Sequence, residues 1–502
     1  MPFVQHHTTV AALLAVAMYA CSVCSLWAAE PALPAGLGGG AAEEAAQGRE
    51  PSLPEGLSGG AEEGAAGEPS LPAGLGGDEA SQDREPAERR PSRLSLQRLR
   101  QAYNLHGFAE IRAGIRVESD PDQDDLSVAD ARLQLELARA AGPAFVRVAG
   151  DLLYDYEYSE DNIDLEAGDG WVDLREASVR FTPVDWMDIK VGRQILTWGT
   201  GDLIFINDLF PKDWNSFFIG RDDEYLKAPS DAVKVALFPR SLPNIDIIYS
   251  PRFDSDRFVD GTRLSFWNPL QQQRTGEDAV IDAQTPDDWL EDDELAVRLY
   301  RNIQGWEWAA YVYRGFWKSP AGLEPASQSF TFPELAVYGA SLRGSVGPGI
   351  GYIEAGYYDS LEDRDGAAFT VANSELRLLI GYEKEVRRNL TATVQYYVKH
   401  MLDHDAYEET LPAPIPEAPE TRHTLTLRLR QELLQQNLVL SLFTRACPTN
   451  DDVYLRPKVH YKITDYWSAE IGANLFYGDE PHTFLNQFAR NSSVHAAVRY
   501  SF

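Results

Sequence analysis

Basic side chains recur at every second position late in this chain, as in Arg428-x-Arg430 and Arg456-x-Lys458-x-His460-x-Lys462. At that spacing all of them share one face of an extended strand. Their chemistry is not covalent. A fixed row of cations concentrates anions by charge and hydrogen-bonds polar solutes. One other cluster invites a chemical reading, where His400 and His404 stand beside Asp403 and Asp405. Covalent catalysis needs a nucleophile, a base and an orienting group held together. No Gly-x-Ser-x-Gly or His-Glu-x-x-His pattern accompanies these histidines. The spacing His400-x-x-x-His404 would suit a metal, but a solvated loop accounts for it too. No catalytic residue, metal ligand or cofactor is assigned, and the chain is read as a non-enzyme.

Rows of alternating chemistry require strands to carry them. From 107 onward the sequence offers eighteen candidates, near 107–118, 126–139, 142–157, 170–182, 185–194, 232–239, 244–250, 292–301, 305–314, 333–343, 349–358, 374–384, 387–399, 421–431, 435–445, 453–463, 465–476 and 491–502. The last shows the pattern well. Val494, Ala496, Val498, Tyr500 and Phe502 share one parity, and Ser493, His495, Ala497, Arg499 and Ser501 the other. The connections alternate without a break. Short links occur near Ala140-Ala141, Pro183-Val184 and 240–243, and near Ile303, Gly347, Val386, Leu434 and Thr464. Longer ones span 158–169, 195–231, 251–291, 315–332, 359–373, 400–420 and 477–490. This predicts an all-β fold, a transmembrane antiparallel barrel of about eighteen strands with lipid outside and water within. Tyr382, Tyr396, Tyr461, Tyr500 and Phe502 fall at outward parity near strand ends, where an aromatic belt is expected.

Parity then assigns the lumen. It places Arg112, Arg116, Arg132, Arg180, Arg298, Arg377, Arg428, Arg430, Arg456, Lys458, Lys462 and Arg499 on the inner wall, with Glu110, Glu136, Glu176 and Glu375 among them. A one-residue slip would expose these cations to hydrocarbon at about 2–4 kcal/mol for each near the midplane. The formal net charge of −32 argues against nucleic acid as a partner. The acids gather in loops such as Asp222-Asp223-Glu224 and Glu291-Asp292-Asp293-Glu294. Two roles remain open for the wall: an anion-attracting surface, or structural ladders closed by carboxylates.

The link 195–231 is too aromatic for a water-exposed loop. It is expected to fold into the barrel, with Trp198, Phe210 and Trp214 against the inner wall and Gly199 and Gly201 allowing tight turns. Asp202, Asp208, Lys212, Asp213, Arg221, Asp222, Asp223 and Lys227 become candidates for a constriction. The stretch Gly192-Arg193-Gln194 through Trp198-Gly199, Asp202, Ile206-Asn207 and Pro211 resembles outer-membrane porins, and among them the alginate-export-like group. That resemblance implies an eighteen-stranded barrel with an Arg-rich lumen and passage of an anionic solute or polysaccharide. The acidic 251–291 loop is not a feature of that group.

Composition divides the chain further. Residues 1–29 read as a secretory signal, with an apolar run from Val10 to Ala29 that holds Cys21 and Cys24. Residues 30–102 repeat Glu-Pro-x-Leu-Pro-x-Gly-Leu from Glu30, Glu50 and Glu68. Too little apolar surface is present there to close a core, so a disordered periplasmic linker is expected, with a short helix near 92–103. Residues 103–502 are the barrel. Expected partners are outer-membrane lipid, a hydrophilic anionic solute, and a periplasmic protein engaging the linker. The leading function is a passive outer-membrane channel. The alternative is an export subunit docked through the linker.

Overall fold

The computed structural model describes residues 105–156 and 163–502. The expected signal, linker and 92–103 helix lie outside the described residues.

Eighteen strands pair in one antiparallel sheet. They are β1 (Leu105–Arg116), β2 (Leu126–Ala141), β3 (Ala144–Asp155), β4 (Val172–Val184), β5 (Met187–Ile195), β6 (Pro229–Leu237), β7 (Asn244–Ser250), β8 (Glu294–Ile303) and β9 (Trp306–Phe316). Then follow β10 (Glu334–Val346), β11 (Gly349–Ser360), β12 (Glu375–Arg387), β13 (Leu390–Met401), β14 (Thr421–Leu433), β15 (Leu438–Cys447), β16 (Asp452–Lys462), β17 (Trp467–Gly478) and β18 (Ser493–Ser501). Each strand pairs with its sequence neighbours. β1 also pairs with β18, setting Glu110 opposite Arg499 and Ile111 opposite Val498. The sheet is therefore a closed barrel with no free edge.

All eighteen expected strands are present, with shifted ends. β2 runs through Ala140 and Ala141, and the turn falls on Gly142 and Pro143. Gly142 has φ +63, a conformation glycine adopts without strain. β4 likewise continues through Pro183 and Val184. The regular alternation of short and long links fails once. β15 and β16 are joined on the long-loop side by only 448–451, with Asp451 in the left-handed region.

Faces follow parity. Ile111, Ile115, Leu152, Trp308, Ile353, Leu378, Val394, Ile471 and Val498 stand exposed on the outside. Arg112, Asp130, Arg132, Glu354 and Gln395 are buried on the inside. Side chains cannot fill a barrel of this strand number by themselves, and here a loop supplies the filling. Leu196, Trp198, Ile204, Ile206 and Phe210 form one apolar cluster with Tyr311, Val337 and Leu379 of the wall. Phe217, Phe218, Ile219 and Leu226 form a second with Phe443, Tyr454, Phe476 and Phe488. The core thus lies inside the cylinder, between the β5–β6 loop and both walls.

Candidate functional site

The β5–β6 loop leaves the wall after Ile195 and returns at Pro229. Its first half is anchored by one carboxylate. Glu354, at inward parity on β11, accepts from the Thr200 amide (2.7 Å) and hydroxyl (2.9 Å) through Oε2. Its Oε1 accepts from the Asn207 amide (2.8 Å) and side chain (3.0 Å). Gln395 on β13 accepts from the Asp202 amide (2.7 Å) and donates to its carbonyl (2.8 Å). The Tyr358 hydroxyl donates to the Ile206 carbonyl. Gly199 passes close to Glu354 with φ +83.

The second half carries a short helix, Trp214–Phe218, capped by Asp213, whose carboxylate accepts from the Ser216 amide at 2.7 Å. Beyond it the chain turns at Gly220, and three consecutive charges meet the opposite wall. Arg221 reaches Asp130 on β2 (2.9 Å) and Asp155 on β3 (3.1 Å). Asp222 lies among Arg112 of β1 (3.8 Å), Lys458 of β16 (3.5 Å) and Arg499 of β18. Asp223 holds Arg456 of β16 and Arg428 of β14 (3.4 Å). Tyr225 lies under the guanidinium groups of Arg132 (4.0 Å) and Arg175 (4.9 Å). A loop that leaves the wall between β5 and β6 and ion-pairs with β14 and β16, about half the circumference away, crosses the lumen.

The electrostatics of the two aspartates that share Arg428 differ. Burial alone would lift the Asp223 carboxyl. The positive charges of Arg456, Lys458 and Arg428 outweigh it and hold the group below its ordinary value. For Asp202, 2.6 Å from Arg428, burial is the larger effect and the carboxyl is raised despite the partner.

The expected wall residues are distributed unevenly around this contact. Arg112, Arg428, Arg456, Lys458 and Arg499 meet the loop tip. Arg132 pairs with Asp151, and Arg116 donates to the Leu126 and Arg263 carbonyls. Arg377 lies over Tyr358 at 3.7 Å and pairs with Glu375, which also holds Lys399. Arg298 pairs with Glu307 at 2.7 Å, and Arg180 lies over Phe145. Arg430 and Lys462 stand near the short-turn end, largely exposed, paired with Glu432 and Asp465.

Several loop candidates have other roles than facing solute. Asp208 and Lys212 form an ion pair with each other (3.1 Å), buried within the loop. Asp213 caps the helix and accepts from Arg257. Trp198 packs edge-on to Phe210 and near Tyr311 of the wall, as expected. Trp214 instead stacks on Phe218 within the loop and donates to Asp256 of the β7–β8 loop. Glu354 and Gln395 were missed by the sequence reading. Their signal was present, since each is a polar residue at inward parity flanked by apolar outward ones.

Above the loop, on the long-link side, lies a cavity of about 430 Å³ between the β3–β4 and β7–β8 loops. Eight carboxylates and four guanidinium groups line it, among them Asp155, Asp164, Asp260, Arg257 and Arg263. Its charge is therefore negative, whereas most of the wall cations named above are already paired to acids.

No family model matches this chain, and no curated protein does. Solved structures with a similar course include the outer membrane channel DcaP of Acinetobacter baumannii, at 14% identity and TM-score 0.38, covering 80% of this chain and 96% of that one. OccAB1 of Acinetobacter baumannii gives 9% and 0.46, with the same coverages. OccD3 (OpdP) of Pseudomonas aeruginosa gives 8% and 0.45, covering 79% and 91%. At these values the likeness carries no further weight, and the fold stands on the strand pairing alone.

Proposed function

We propose that the chain is an outer-membrane channel for small hydrophilic solutes, narrowed by the 196–228 loop. One observation carries the reading: a closed barrel, apolar outside, has a polar inner wall and a chain-built constriction across it. An apolar outer face needs lipid, and a constriction held by ion pairs selects by size and charge.

The wall cations taken alone favour anions. Asp202, Asp222 and Asp223 neutralise those at the loop, and the acidic outer cavity opposes anion capture. The proposal therefore rests on hydrophilic solutes in general, with weak charge preference. A cargo of acidic polysaccharide, and kinship with alginate-export-like barrels, would require wall cations freed from these partners. The export-subunit alternative depends on residues outside those described.

Planar-bilayer recording tests the proposal. The purified protein is expected to give discrete openings, and the Asp222→Asn/Asp223→Asn variant larger or noisier ones as the loop tip loosens. Silence from both proteins, each confirmed as inserted, sinks the channel reading. A strong reversal potential in a salt gradient would overturn the weak charge preference.

A further inference from the structure

The β13–β14 loop, 402–420, lies apart from the lumen site and contains an unexplained convergence of acceptors. A short helix, His404–Thr410, is followed by a return segment through Glu417 and Ala418. The His404 side chain is 10% exposed. Its Nε2 lies 2.8 Å from the Ala418 carbonyl oxygen. A carbonyl can only accept, so Nε2 carries the hydrogen. In the neutral ring Nδ1 then holds a lone pair. That atom faces not a donor but the Glu408 carboxylate, 3.5 Å away. Glu417 approaches from the return segment, and one ligand atom from each of the three residues lies within 4.8 Å of the others. Three acceptors thus converge at one place: the Nδ1 lone pair, the Glu408 carboxylate and the Glu417 carboxylate, whose Oε1 is also 3.9 Å from Nε2.

We propose that His404, Glu408 and Glu417 form a binding site for a divalent transition metal of the zinc class. One imidazole nitrogen with two carboxylate oxygens is a borderline donor set that suits zinc and leaves a position for water. The Nε2–H bond to Ala418 fixes the tautomer and the ring plane, as a second partner does for metal-bound histidines. Glu408 and Glu417 are about half exposed, so both carboxylates can swing to bonding distance without disturbing the barrel. His400, the other histidine the sequence suggests, bonds Thr421 through Nδ1 and is not part of the group. Metal here would staple the return segment to the helix and stiffen one long loop at the barrel mouth.

The test is calorimetry with zinc chloride on tag-free, chelator-treated full-length protein in detergent. One equivalent is expected to bind, with affinity lowered at least tenfold by His404→Gln and by Glu417→Gln, and unchanged by His423→Gln. Protease cleavage between 411 and 417 is expected to slow when zinc is added to the wild type only. Absence of binding overturns the site. So does binding that survives both His404→Gln and Glu417→Gln, because the zinc would then lie elsewhere.

Discussion

Single side chains decide whether the loop stays across the lumen. Glu354 alone satisfies four donors of the segment 200–207. A hydrogen bond to a charged group contributes about 1.5–3 kcal/mol, and donors left buried without a partner cost more than the bond gained. Glu354→Ala should therefore release the first half of the loop. The expected result is faster proteolysis within 200–228 with little change in barrel unfolding temperature. Unchanged proteolysis would remove Glu354 from its anchoring role. Gly220 is a second control point. It has φ +93, and a Cβ there would stand 2.4 Å from His495 Cε1. Gly220→Ala should displace the loop tip and increase conductance noise. Adding His495→Ala should relieve the collision but leave about 1–3 kcal/mol of backbone strain, so rescue is expected to be partial.

At the scale of the element, the loop is a latch whose acid sensitivity has a definite sign. Asp223 is held below its ordinary pKa of 3.8, so its ionised form stabilises the latched state. That stabilisation is complete above 3.8 and is lost as pH falls through the lower, folded value. Asp202 behaves oppositely. Its folded carboxyl is raised, so its contribution grows as pH falls and is lost as pH rises through that raised value. Of these two, Asp223 is the one whose protonation releases the loop in acid. Asp223→Asn should reduce the low-pH change in conductance and leave the neutral-pH channel looser. Asp202→Asn should keep the acid response and leave the loop in place at pH 7. Reversal of this order in bilayer recordings would show that burial, not the cationic partners, dominates at Asp223.

At the scale of the whole molecule, the closed sheet stands on two-sided alternation. Ile111 and Leu378 face outward, and Arg at either is expected to cost about 2–4 kcal/mol in bilayer-reconstituted unfolding if it lies near the midplane. Ile111→Val should be nearly neutral. Equal stability of all variants would place these faces away from lipid.

The strands were legible in the sequence because side chains alternate faces with a period of two, whatever the partner. That local rule gave the number of strands and the inward position of Arg112 or Arg456, and composition marked the 195–231 segment as unfit for water. It misplaced turns where a left-handed residue such as Gly142 decided the reversal, and it missed the tight link at 448–451. What the chain could not reveal by itself was which carboxylate meets which cation. Asp222 and Arg499 are 277 residues apart in the chain, and Thr200 and Glu354 are 154 apart. Only closure of the cylinder brings opposite walls within reach of one loop. The tertiary structure therefore decided that the wall cations are partnered rather than free, because pairing depends on distance through space, and strand periodicity carries no information about that distance.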